Sequence, residues 1–440
     1  PNFYDRLPRF FSRKFFKTFK TYNSIINNLK WLKIIYIFFM SFKELPLMSD
    51  KNGGTVLFYP YVSKKSKKNI SKVLSGRWIG QGPMVDKFEK KFKKVISKKH
   101  SAVATGSGTD ALHLAYILAG LKKGDEVITT VFTCTATNIP LLYMGIKIKF
   151  ADIDVSTMNI SVESVKKLIS KKTRAIVCVH YGGLPCDMDE LQKLAKKYNI
   201  PIIEDGAHAL GAKYKNKFIG SISDYTTFSF QAIKHFTTGD GGMLTLKNNK
   251  ESSKAKRIRW FGINRETKQK GVWENDVTEV GYKYQMTDIS ATLGYDSLNE
   301  LNKILSHRRK IYDIYLNELS KNKNIICINE DNNKKKHAAW LFTIALEKKD
   351  YLQKKLRNYK IETNQVHFRN DKYSIFKKFT NGTKFKNMDF LENKYLVLPI
   401  HHKVSPSQAK YICRLINNII WMVNAMALKL NKTFLNFSYF

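Results

Sequence analysis

Residues 204–244 read EDGAHALGAKYKNKFIGSISDYTTFSFQAIKHFTTGDGGML. The stretch opens on the acidic end of an apolar run, IPIIEDGA (200–207). It passes through a second β-type run, YTTFSF (225–230), and enters a third, GGMLTLK (241–247). Asp205 and His208 stand at the first run's end, Ser229 on the second, and one lysine, Lys234, in a turn before a Gly-rich segment. A lysine amine forms an imine with an aldehyde. A carboxylate holds a pyridine nitrogen protonated, and a serine hydroxyl binds a phosphate ester. Together these functions suit pyridoxal 5'-phosphate (PLP).

Working upstream, short β-rich runs recur at SAVATGS (101–107), EVITTVF (126–132), KIKFADID (147–154) and RAIVCVHY (174–181). Helical patterns such as 109–120 and 188–198 separate them. The alternation predicts a mostly parallel sheet of seven strands with helices on both faces. In such sheets ligands gather at the C-terminal strand ends, which here carry residues 106–109, Phe132, Asp205 and Ser229. Past Gly294 a long helical pattern over 296–319 leads into a smaller α/β unit. That unit is expected to have strands over 338–346 and 361–368 and a helix over 406–424.

Each candidate has a plainer reading beside it. Lys234 is either the nucleophile or one more solvated lysine in a lysine-rich chain. The apolar SF before it and the GDGG after it favour the nucleophile, whose amine a partly dry pocket keeps neutral. Asp205 either pairs with a cationic ring nitrogen or caps the next helix. His208 either holds Asp205, faces the ring, or is a packed, hydrogen-bonded core histidine. In GSGTDAL (106–112) the residues Gly106, Ser107 and Gly108 let backbone approach an anion, and Thr109 opens a helix whose free N–H groups, including that of Asp110, point at it. A dinucleotide fingerprint needs a third glycine that this segment lacks.

These segments resemble the DegT/DnrJ/EryC1/StrS family of PLP-dependent sugar aminotransferases. The resemblance runs over about residues 58–418 and includes RWIGQGP (77–83), TGSGTDALHLA (105–115), VHYGGLPCDMDEL (179–191), GYKYQMTDISATLG (281–294) and VLPIHH (397–402). It implies an α/β protein of PLP-dependent transferase fold type I, with a large domain over 48–295, a small C-terminal domain over 296–424 and a tail over 425–440. It places the Schiff base on Lys234, the pyridine contact on Asp205 rather than Glu204, and phosphate contacts on Ser229, Gly108 and Thr109. His208 belongs to the cofactor site. Phe132 either stacks on the cofactor or packs in the core, because the frame slips by one residue there. Gln81 is placed near a sugar hydroxyl. His401 and His402 are structural or close to substrate, and no metal site is expected.

The implied reaction moves an amino group from an amino acid, glutamate, to a keto sugar carried on a nucleotide. The alternatives are a PLP-dependent dehydratase, which carries histidine where Lys234 stands, and a PLP-binding regulator without turnover. The implied assembly is a homodimer whose sites are shared. Where the family has asparagine before His-Gly to reach the partner's phosphate, this chain has Trp260 and Phe261 before Gly262. That contact falls to another residue, such as Asn264 or Arg259.

Composition sets the outer bounds. The chain has 440 residues, with 43% hydrophobic and 13% aromatic content, so it is a globular protein and not a disordered one. The formal charge is +40. Its lysines are scattered and no nucleic-acid motif appears, so they are read as solvated faces and no nucleic-acid partner is expected. Five cysteines without CxxC spacing point away from disulfides and toward a cytoplasmic protein. Residues 1–47 are basic and aromatic, hold nine Lys/Arg against two Asp/Glu, and without them the charge is still about +33. They are expected to be a non-native or disordered extension, the rival reading being a basic helix at a membrane surface.

Overall fold

The computed structural model describes residues 47–48, 53–274, 276–329, 333–380 and 382–437. The expected extension over 1–47 lies, apart from Leu47, outside the described residues. Met48–Phe440 forms one compact unit.

Thirteen strands are described: β1 (Ser101–Thr105), β2 (Glu126–Thr130), β3 (Lys147–Ala151), β4 (Thr173–Val179), β5 (Ile202–Asp205), β6 (Lys213–Tyr214), β7 (Lys217–Phe218), β8 (Tyr225–Ser229), β9 (Gly242–Leu246), β10 (Ile326–Cys327), β11 (Lys335–Lys336), β12 (Phe342–Ala345) and β13 (Tyr395–Leu398). Seven form the central sheet in the order β1-β9-β8-β5-β4-β2-β3. Only β9 runs antiparallel to its neighbours.

These strands read as near-continuous apolar runs because both faces are covered. Successive side chains alternate between faces. Val103, Val127, Val177, Ile203 and Leu244 enter one core with Ala111, Leu114 and Ala115 of the helix Gly108–Leu118. Ala102, Ile128, Ile176, Ile202 and Met243 enter the other. There they meet Val85, Phe88 and Phe92 of the helix Pro83–Phe92 and Met188, Leu191 and Ala195 of the helix Met188–Tyr198.

Three expectations fail locally. The helical pattern over 296–319 is two helices, Asp288–Asn299 and Leu301–Leu319, that meet at Glu300. Its carboxylate takes the hydroxyls of Tyr61 and Ser63. The segment 361–368 is not a strand. Only Ile361 and Asn364 make isolated bridges, to Thr55 and Val397. The sheet β10-β12-β13 instead forms from strands that the pattern placed only in part. The last helix runs Pro406–Phe437, past the expected end at 424 and through most of the expected tail. Among the described residues no helix is long and apolar enough to cross a membrane.

One connection positions the site. Gly182 and Gly183, just after β4, have φ of 61° and 101°. Their carbonyls accept the N–H groups of Ala338, Trp340 and Leu341. The loop before β12 is thereby strapped over the ends of β4 and β5.

Candidate active site

Asp205 is the last residue of β5, between Val179 of β4 and Thr227 of β8. It is 4% exposed. One carboxylate oxygen accepts the Thr137 hydroxyl at 2.7 Å and the other the Ala207 N–H at 3.0 Å. Thr137 gives its proton to Asp205, so Thr133, 2.8 Å away, must donate to Thr137. No helix begins at Asp205, which sets the helix-cap alternative aside.

Lys234 lies in the turn after β8, its N–H on the carbonyl of Gln231. The side chain keeps some exposed surface but is deeply surrounded. Burial pulls its amine down to about 8, against the opposing pull of Asp205 and Cys134. At pH 7 roughly a tenth of such an amine is neutral, against well under a thousandth of an ordinary lysine. Its Nζ stands 4.0 Å from the ring centroid of Trp340.

His208 stacks on the same indole, centroids 3.9 Å apart and planes 18° apart. Its Nε2 faces the Nε2 of His367 at 3.3 Å. Burial, with Lys234 second, pushes both histidines well below their usual range, His367 to about 3. Two neutral rings that meet nitrogen to nitrogen share one hydrogen. Nδ1 of His208 is buried without a partner, although such atoms are nearly always bonded. Asp205 takes its hydrogen bonds from Thr137 and Ala207, and His208 directs its bond to His367.

The third part is a cradle. Ser107 caps the helix Gly108–Leu118 by accepting the Asp110 N–H at 3.0 Å. This leaves the N–H groups of Gly108 and Thr109 at the helix opening without intrahelical partners. The helix start packs on the end of β8 so closely that a Cβ at Gly108 would stand 2.9 Å from the Cβ of Ser229. Ser229 and residues 106–110 all keep partial exposure.

Other expected residues lie elsewhere. Phe132 is 1% exposed and packs in the core against Tyr181 and Tyr395. Two positions on, Cys134 is exposed and interacts electrostatically with Lys234. Gln81 is buried, its carbonyl accepts from Arg265, and its Oε1 has no partner. The loop that carries it is fixed by Asp288, which accepts the N–H groups of Gly82, Met84 and Val85. This bond set joins the motifs at 77–83 and 281–294. His401 binds the carbonyl of Val56. Arg259 is turned inward onto Glu89 and the carbonyl of Ala104, and Asn264 caps the short helix Arg265–Gln269.

Sequence reasoning missed Trp340 and His367, which sit over a hundred residues from Lys234 and outside any Gly-rich turn. The histidine in QVHF and the tryptophan in HAAWLF, both within expected strands, were the available signals. It also passed over Glu204. That carboxylate is fully buried on the opposite face from Asp205 and accepts from His180 at 2.7 Å and from Ser223 and Thr226 at 3.1 Å.

The site therefore offers a nucleophilic amine, a buried carboxylate, an unpartnered imidazole nitrogen and a helix opening with a hydroxyl. That donor set fits PLP: a carboxylate for the ring nitrogen, an imidazole nitrogen for a ring substituent, and N–H and O–H groups for a phosphate.

Comparison with known proteins agrees. The chain matches the model of the DegT/DnrJ/EryC1/StrS aminotransferase family over residues 60–417. It is 32% identical over 368 residues to the GDP-perosamine synthase of Escherichia coli O157:H7, covering 82% of this chain and 97% of that one. It is 35% identical over 352 residues to the UDP-4-amino-4,6-dideoxy-N-acetyl-beta-L-altrosamine transaminase of Campylobacter jejuni, covering 78% of this chain and 91% of that one. Among solved structures, the PLP form of Spr1654 from Streptococcus pneumoniae superimposes with a TM-score of 0.76 at 26% identity. It covers 83% of this chain and 98% of its own.

Proposed function

This chain belongs to the DegT/DnrJ/EryC1/StrS aminotransferase family, and on that premise we propose that it moves an amino group from glutamate to a keto sugar carried on a nucleoside diphosphate. It is a PLP-dependent sugar aminotransferase. The observation that carries the finer reading is the burial-lowered amine of Lys234, whose charge the buried carboxylate of Asp205 supports, at the end of the sheet that also holds the Gly108 helix opening.

When bound, PLP supplies an aldehyde carbon and a ring that accepts electrons. The chain's residues do the rest. Asp205, already anchored by Thr137 and the Ala207 N–H, presents its remaining lone pairs to the ring nitrogen and keeps it protonated. The N–H groups of Gly108 and Thr109 and the hydroxyl of Ser229 take the phosphate. His208 offers Nδ1 to the ring's polar edge. Lys234 would serve as the general base that takes the proton from the donor's α-carbon and, in the half-reaction with the keto sugar, as the general acid that delivers a proton to the aminated carbon. An amine near 8 suits both directions at neutral pH. Gln81 is proposed to meet a sugar hydroxyl. A lysine at 234 rather than histidine disfavours the dehydratase reading, and donor half-turnover separates an enzyme from a silent regulator.

The working form proposed is a homodimer in the cytoplasm. Trp273 and Val280 are 74% and 80% exposed, and Phe261 and Val272 are exposed as well; a second copy of the chain would cover such apolar side chains. Sedimentation velocity checks the dimer. For the reaction, protein loaded with PLP and treated with glutamate should lose its visible band. It should regain the band on addition of a keto sugar nucleotide. An unchanged band with every donor would sink the proposal.

A further inference from the structure

The loop before β12 brackets Lys234 from both sides. The indole N–H of Trp340 donates to the carbonyl of Ile233 at 2.9 Å. Nε2 of His235 donates to the carbonyl of Ala338 at 2.9 Å. The two chain neighbours of the lysine are thus each tied to the same short loop, and that loop is tied in turn to Gly182 and Gly183. Trp340 is 1% exposed, so its ring has one fixed place. The ring stands 4.0 Å from Nζ of Lys234. Among the described residues Nζ meets no hydrogen-bond acceptor and no carboxylate within ion-pair distance.

A deeply placed ammonium without an acceptor is costly. The electron-rich face of an indole is the strongest side-chain seat for a cation that lacks one. We propose that Trp340 is the positioning residue of the reactive lysine. Its indole face carries the Lys234 ammonium whenever the amine is not bonded to the cofactor, and so holds the acid–base group at the site through the proton transfers. The inference rests on the proposed role of Lys234 and adds to it a residue from the far end of the chain.

The charged and titratable groups around the amine are few. Asp205 and Cys134 favour its charged form. His208, His235 and His367 lie close, and burial keeps all three low. None of these histidines supplies a competing cation at neutral pH, so the indole adds to Asp205 and Cys134 in sustaining the ammonium.

The test uses cofactor-free full-length protein and no substrate. Competitive acylation with a trace amine reagent, read by mass spectrometry at the Lys234 peptide, gives that lysine's titration curve. Trp340→Leu removes the face and should move the midpoint down by about one unit. Trp340→Phe, which keeps a weaker face, should fall between Leu and wild type. A midpoint in the Leu variant at or above wild type overturns the proposal, as does a Phe variant lower than Leu. If the Leu variant fails to fold, 5-fluorotryptophan placed at 340 decides instead. A downward shift supports the seat and an unmoved curve overturns it. Because no turnover is measured, a negative result leaves the aminotransferase reading standing. A protein without turnover leaves the titration equally readable.

Discussion

Glu204 and Asp205 are adjacent on β5 and serve separate networks on opposite faces of the sheet. Asp205 faces the site, where Thr137 and the Ala207 N–H hold it. Glu204 faces the other way into a closed set with His180, Ser223 and Thr226. The backbone N–H of Cys186 donates to Nδ1 of His180, so that ring carries its one proton on Nε2 and gives it to Glu204. One acid is left available to a ligand, and its neighbour is fully occupied as a strut.

Glu204→Gln tests that division. Although burial opposes it, the bonds from His180, Ser223 and Thr226 hold the Glu204 carboxyl below the usual range. A group lowered on folding stabilises fully above its unfolded value, about 4.3, and loses that contribution as pH falls through the folded value. Urea unfolding of the variant should show a loss of about 1–3 kcal/mol at pH 7. It should also show a flatter decline between pH 5 and 3 than wild type. PLP affinity should stay within a few-fold.

Asp205→Asn tests the other half. Asp205 supports the charged form of Lys234, so its loss lowers the amine below about 8. Uptake of PLP by the cofactor-free protein needs the neutral amine. Its rate should therefore rise with pH through about 8 in wild type and through a lower pH in the variant. Turnover should fall by at least about 100-fold, because the ring nitrogen would lose the charged partner proposed for it. Stopped-flow absorbance at a series of pH values separates the two effects.

Gly183→Ala attacks the strap. Gly183 has φ of 101°, and an added Cβ would stand 2.8 Å from the carbonyl oxygen of His208 and 3.0 Å from Cβ of Ala338. The strain should cost about 1–3 kcal/mol. The shifted loop should also alter the acylation curve of Lys234, a change that a distant destabilising substitution of equal size would not produce.

Glu89→Ala concerns stability alone. Glu89 meets Arg259 at 2.5 Å, with both side chains almost wholly buried, and it also accepts the Ala104 N–H at 2.9 Å. Removal leaves a guanidinium without its counter-charge, at a cost of about 3–5 kcal/mol. Chemical denaturation should show that loss.

The central sheet was legible because its strands are covered on both faces. Each announces itself as an apolar run, and all seven expected runs overlap an observed strand. The candidate site was legible in part for the same reason, since Asp205 and Ser229 end two such runs and Lys234 follows the second, all within forty residues. What escaped is what the far part of the chain contributes. Trp340 and His367 reach the site through folding over long sequence separation, and no local spacing records that. The segment 361–368 has a strand-like alternation but touches its neighbours only at Ile361 and Asn364. Glu300 splits a helix that its periodicity would continue, because two hydroxyls from residues 61 and 63 need its carboxylate there. Phe132 shows the limit of placement by strand end. Its position on the chain suits a ligand, but its side chain points into the packed interior.

The glycine strap has a consequence for biosynthesis. A ribosome makes the amine, the acid and the phosphate cradle well before it makes Trp340. Until the last third of the chain emerges and its loop docks on Gly182 and Gly183, the lysine has no platform beneath it. A translation product cut short before Trp340 would carry the amine, the acid and the phosphate cradle and still handle its proton poorly.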